Sequence, residues 1–121
     1  MKHDLPFLRS IVREFEVDGE ILAASPYGTG HINDTYLVET GNGRGKTPYI
    51  LQRINHDVFK NPPLLMENIA RVTGHLRAKL SQLPGSAPER ETLTVIPARD
   101  GAAYFRDASG NYWRMYIFIS N

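Results

Sequence analysis

Gly28-Thr29-Gly30-His31-Ile32-Asn33 joins two runs of strand-forming residues, and its composition suits a loop that wraps an anion. Small residues let backbone N–H groups approach phosphate oxygens closely. Thr29 adds a hydroxyl at the tip. Asn33 stands where a third glycine would complete the pattern, and asparagine tolerates left-handed backbone better than most residues. A strand and a helix further along extend this chemistry. A cation on a strand neutralises phosphate charge when a carboxylate on a packed helix holds it in place. Arg53, in Tyr49-Ile50-Leu51-Gln52-Arg53-Ile54, and Glu67, in Leu65-Met66-Glu67-Asn68-Ile69, are the candidates. Each part also has a plainer reading: an ordinary hairpin, a surface arginine, a solvated helix glutamate. Gln52 competes with Arg53, because adjacent strand residues face opposite sides and only one can reach the phosphate from regular strand.

The elements that must position these residues are legible from periodicity. Asp4 caps a helix with Pro6 in its first turn, and Phe7, Leu8, Ile11, Val12 and Phe15 recur at helical spacing until Val17-Asp18-Gly19. Ile21–Ser25, Thr35–Thr40 and Pro48–Ile54 read as a three-stranded meander, turned at Pro26–Gly28 and at Gly41–Lys46. Asn61 and Pro62 start a long helix to Leu83. Its stripe of Leu65, Ile69, Val72, Leu76, Leu80 and Leu83 is expected to pack on the sheet. Leu93–Pro97, Ala103–Arg106 and Tyr112–Phe118 supply further strands, the last two joined by a hairpin turn at Asp107–Asn111. The expected fold is α+β: about five antiparallel strands, one long packed helix and an N-terminal helix. Tyr112 to Ile119 reads as an edge strand with an apolar surface to cover.

Composition narrows the classes. The 121 residues amount to one domain, and a net charge of +1 sets up no strong field to recruit nucleic acid or an anionic membrane. Without cysteine there is no disulfide framework and no thiolate metal site. His31, His56 and His75 are widely spaced, with no carboxylate pattern between them, so no metal site is expected. No apolar run approaches the ~20 residues of a membrane span, and the first residues lack a signal-peptide core. A cytoplasmic protein is the default expectation.

The linked string Gly30-His31-Ile32-Asn33-Asp34-Thr35-Tyr36, then Tyr49 to Lys60, then Leu65-Met66-Glu67-Asn68-Ile69, resembles the bacterial N-acetylhexosamine 1-kinases. These belong to the aminoglycoside phosphotransferase and choline kinase superfamily. The resemblance extends over residues 10–121. Relatives have also carried the label of mucin-desulfating proteins, but the kinase-like residues give no physical support for sulfatase chemistry. The resemblance implies a protein-kinase-like N-terminal lobe spanning residues 1–121, with ATP as the nucleotide and Mg²⁺ as its ion. Gly28 to Asn33 would cover the phosphates, and Glu67 would orient the polar residue of the third strand, Gln52 or Arg53. Tyr116, Phe118 and Ile119 would approach the hinge, where backbone groups meet adenine. The catalytic base and the Mg²⁺ ligands would belong to a second lobe, since no His-Gly-Asp string follows Glu67. The implied reaction phosphorylates the anomeric hydroxyl of an N-acetylhexosamine. Choline, homoserine or an aminoglycoside as acceptor, or a non-catalytic binding module, are the alternatives. The lobe-facing surface is expected to associate, with a second lobe or with a second copy.

Overall fold

Two helices begin in the same way. Asp4 accepts the Phe7 N–H at 2.9 Å and Asn61 accepts the Leu64 N–H at 3.2 Å, each with proline in the first turn. These side chains satisfy donors that the helix itself leaves open. In a computed structural model that describes residues 3–17, 19–28, 34–41, 46–55, 57, 60–85 and 94–118, they open α1 (Leu5–Val12) and α2 (Pro62–Leu80). The strands are β1 (Glu20–Pro26), β2 (Asp34–Gly41), β3 (Lys46–Ile54), β4 (Phe105–Arg106) and β5 (Tyr112–Ile117). They form one five-stranded sheet in the order β1-β2-β3-β5-β4, and every neighbouring pair is antiparallel. The fold is α+β, with a long helix and an N-terminal helix.

Strand alternation divides the sheet into two faces. Tyr36 and Val38 of β2, Tyr49 and Leu51 of β3, and Trp113 and Met115 of β5 join Leu8, Ile11, Val12 and Phe15 in the main core. That face belongs to α1. Ile50, Ile54 and, on α2, Met66 are buried outside this core, and Met66 reaches Arg114 on the opposite face of β5.

Four features depart from the sequence-based expectations. First, α1 stops at Val12, well before Val17. Backbone groups of the following turn are captured by a distant segment: Glu16 N–H donates to Pro97, Arg99 N–H to Glu14, and Arg99 Nε to the Arg13 carbonyl at 2.7 Å. Phe15 remains fully buried through a bridge to Ala98. Second, the leucine stripe of α2 is only partly covered and is not the most buried side of the helix. Its buried residues are Pro62 and Met66; Leu65, Ile69 and Leu80 are half-buried, whereas Val72 and Leu76 are 57% and 44% exposed, as is Leu83, beyond the helix end, at 58%. At 3.6 residues per turn, the stripe is rotated by roughly a quarter turn from the buried side.

Third, β5 is not an edge strand. It lies between β3 and β4, and Thr94–Ile96 runs along the same outer edge as β4: Ile96 N–H donates to Met115 and Ile117 N–H to Thr94. Trp113 and Met115 are thereby fully buried. Fourth, the run expected to form a strand up to Pro97 contributes only the bridge Val95–Tyr116, because Pro97 has no N–H with which to continue a ladder. Leu93 lies outside the described residues.

The β4–β5 turn follows its sequence signal closely. The buried Asp107 carboxylate accepts the Ser109 N–H at 2.9 Å, the Asn111 N–H at 3.0 Å and the Trp113 indole N–H at 2.8 Å. One side chain thus folds the turn and satisfies the buried indole.

Candidate functional site

The β1–β2 hairpin keeps its ladder up to the loop, where the Tyr27 N–H donates to the Thr35 carbonyl at 3.0 Å. Gly28 follows at φ +78°, in the left-handed region, with open space where a Cβ would stand. Glycine is needed there for its backbone angle and not for room. Thr29, Gly30, His31, Ile32 and Asn33 lie outside the described residues. The Tyr27 ring meets the Phe118 ring edge-on at a centroid distance of 5.4 Å, which brings the loop end of the hairpin against the end of β5.

A polar row crosses three strands on the α2 face. Thr35, Gln52 and Arg114 are register partners on β2, β3 and β5. Gln52 Nε2 donates to Thr35 Oγ1 at 2.9 Å, and Arg114 Nε donates to Gln52 Oε1 at 2.8 Å. The amide orientation follows from chemistry, since arginine has only donors and must take the oxygen of Gln52. Arg114 Nη1 contacts Met66 Sδ at 3.8 Å, and its Cζ stands 6.0 Å from the centre of the Tyr116 ring. Burial lowers the Arg114 pKa, partly offset by Tyr116. Burial likewise raises the Tyr116 pKa; Arg114 opposes the rise and Tyr27 adds to it.

The opposite face engages the other candidate. Arg53 Nε donates to Asp34 Oδ2 at 2.7 Å, with both side chains mostly buried. His3 Nε2 stands 3.4 Å from the same oxygen, and its ring stacks on Phe7 at 5.1 Å. Asp34 therefore ties β2 to β3 beneath the N-terminal segment. Gln52 and Arg53 are separated by the sheet, and it is Gln52 that lies on the α2 side.

The remaining expected site residues are placed as follows. Glu67 is exposed on α2, one residue after Met66, while the polar partners of Gln52 are Thr35 and Arg114. Tyr116 is flanked on both sides, by Ile50 of β3 and by Val95. The Ile117 N–H is donated to Thr94 and the Phe118 N–H to the Pro48 carbonyl. These two donors are committed within the protein. Ile119 lies outside the described residues.

Sequence reasoning did not single out Arg114. A signal was present: in Tyr112-Trp113-Arg114-Met115-Tyr116-Ile117, Trp113 and Met115 alternate onto one face and leave a lone charge in the middle of the other. Two surface hollows, one lined by Ala70, Arg77 and Val95 and one by Lys60, Asn61 and Arg106, include none of Thr35, Gln52 or Arg114. No group of three or more His, Asp or Glu able to hold a metal ion occurs among the described residues. No helix among them is long and apolar enough to cross a membrane. A scan against protein-family models finds no match to this chain.

Proposed function

We propose that this chain is the nucleotide-binding lobe of an ATP-dependent kinase, and that the acceptor is the anomeric hydroxyl of an N-acetylhexosamine. The observation that carries the reading is the row Thr35–Gln52–Arg114, on the sheet face that bears α2, next to a hairpin whose loop begins with left-handed Gly28. A kinase needs these parts together: a glycine turn over the phosphates, polar strand residues beneath it, and a helix alongside. Catalysis in this class is positioning plus charge neutralisation. The chain's share is to hold the nucleotide. The ion, the base and the acceptor contacts are assigned to a second lobe. The exposed Val72 and Leu76 of α2, with Leu83 just beyond its end, support association with such a lobe or with a second copy.

The test is ADP release in a coupled assay, with Mg²⁺, ATP and a panel of acceptors. In a full-length protein carrying this chain, release should depend on N-acetylglucosamine or N-acetylgalactosamine. Release driven by choline, homoserine or an aminoglycoside keeps the lobe and changes the acceptor. Residues 1–121 alone should show no turnover, and turnover by them at full-enzyme rates defeats the two-lobe assignment.

A further inference from the structure

Arg114 is a half-buried cation held in place, among the described residues, without a countercharge. Of the five guanidinium N–H groups of an arginine, its Nε–H goes to Gln52 and one on Nη1 to the Met66 sulfur. Three are left without a protein acceptor among the described residues, and no carboxylate lies within ion-pair distance there. Arg53 differs in charge, since Asp34 takes its Nε–H and supplies the opposite charge. The partner that aims Arg114 is a neutral amide. Gln52 fixes the guanidinium through one oxygen and leaves its charge intact, which a glutamate would not.

We propose that Arg114 on β5 is the polyphosphate-binding cation of this chain, with Gln52 as its positioning residue, so that the charge sits one strand over from β3. The inference rests on the nucleotide-lobe reading for the identity of the ligand, a nucleoside triphosphate, but not for the anion site itself. The open donors of Arg114 form a planar fork suited to two phosphate oxygens at once. The Thr35–Gln52 hydrogen bond locks the amide, and the Tyr116 ring supports the guanidinium from the side.

The test is titration of the ¹⁵N-labelled chain with inorganic tripolyphosphate, with adenosine and with Mg²⁺–ATP, followed by NMR. Tripolyphosphate should shift the Arg114 Nε–Hε and Gln52 side-chain amide signals of the unsubstituted protein. Arg114→Gln should weaken that binding about ten-fold or more, the effect of losing a charge-assisted bidentate contact. Arg53→Gln should leave it within about two-fold, being on the other face. Gln52→Glu separates positioning from mere structure: it keeps an acceptor for Nε–H, so the fold stays at least as stable, yet tripolyphosphate binding falls because the cation is neutralised. Unshifted Arg114 signals in the unsubstituted protein, or a loss carried by Arg53→Gln, overturns the proposal. Mg²⁺–ATP binding that Arg114→Gln leaves intact also overturns it while the nucleotide lobe stands. Tripolyphosphate binding at Arg114, with no binding of ATP or adenosine, upholds the anion site and removes the nucleotide reading.

Discussion

Three side chains carry much of the local order. Asp107 bonds two turn N–H groups and the indole of a fully buried tryptophan. Removing it leaves a buried donor without a partner, and hydrogen bonds to charged groups are worth about 1.5–3 kcal/mol. Asp107→Ala should therefore destabilise the chain by about 3 kcal/mol in urea unfolding, and Asp107→Asn by less. A change below about 0.5 kcal/mol, the size of an ordinary surface effect, would show that the indole and the turn do not depend on it. The neighbouring pair on β3 separates by sheet face and partner. Gln52 lies in the row with Arg114 and Arg53 lies on Asp34, so Gln52→Ala should raise the KM for ATP or lower kcat more than Arg53→Ala does. The larger effect should be roughly ten-fold or more, as for one lost charge-assisted contact. A crippling Arg53→Ala beside a mild Gln52→Ala reverses the assignment. The choice between these two was open in the sequence, because alternation says that they differ in face but not which face carries α2. The pairing of Arg53 with Asp34, 19 positions apart, settles their geometry and has no local signature.

At the scale of elements, the hairpins and helix starts were readable and the packing of α2 was not. Capping residues, first-turn prolines and the β4–β5 turn act over a few residues, so local composition specifies them. The end of α1 depends on Arg99 and Pro97, more than 80 positions away, and no periodicity in residues 5–17 reports it. The α2 stripe was conspicuous, but the buried side of the helix is set by Met66 meeting Arg114. Met66→Ala should cost about 2–5 kcal/mol, as for a core residue cut to a methyl group. Leu76→Lys should stay within about 0.5 kcal/mol, as for a surface change. Chemical denaturation of the two variants checks this. If Leu76→Lys is the costlier substitution, the stripe is the packed face after all.

For the molecule as a whole, the two sheet faces differ in what they bury. The α1 face holds the main core and uses up its charges: Arg53 is neutralised by Asp34, and His3 sits among Phe7, Tyr36 and Trp113. The α2 face is less filled and carries Gln52, Arg114 and Tyr116, with the Tyr27 ring reaching Phe118 at its margin. A ligand that needs a cation and polar groups finds them on this second face. The most direct measurement maps a non-hydrolysable ATP analogue, with Mg²⁺, onto the ¹⁵N-labelled chain at high concentration. Shifts are expected to centre on Gly28, Thr35, Gln52, Arg114 and Tyr116, with the surroundings of Arg53, Asp34 and α1 unmoved. Shifts centred on Arg53 and α1, or none at saturating analogue, would contradict it.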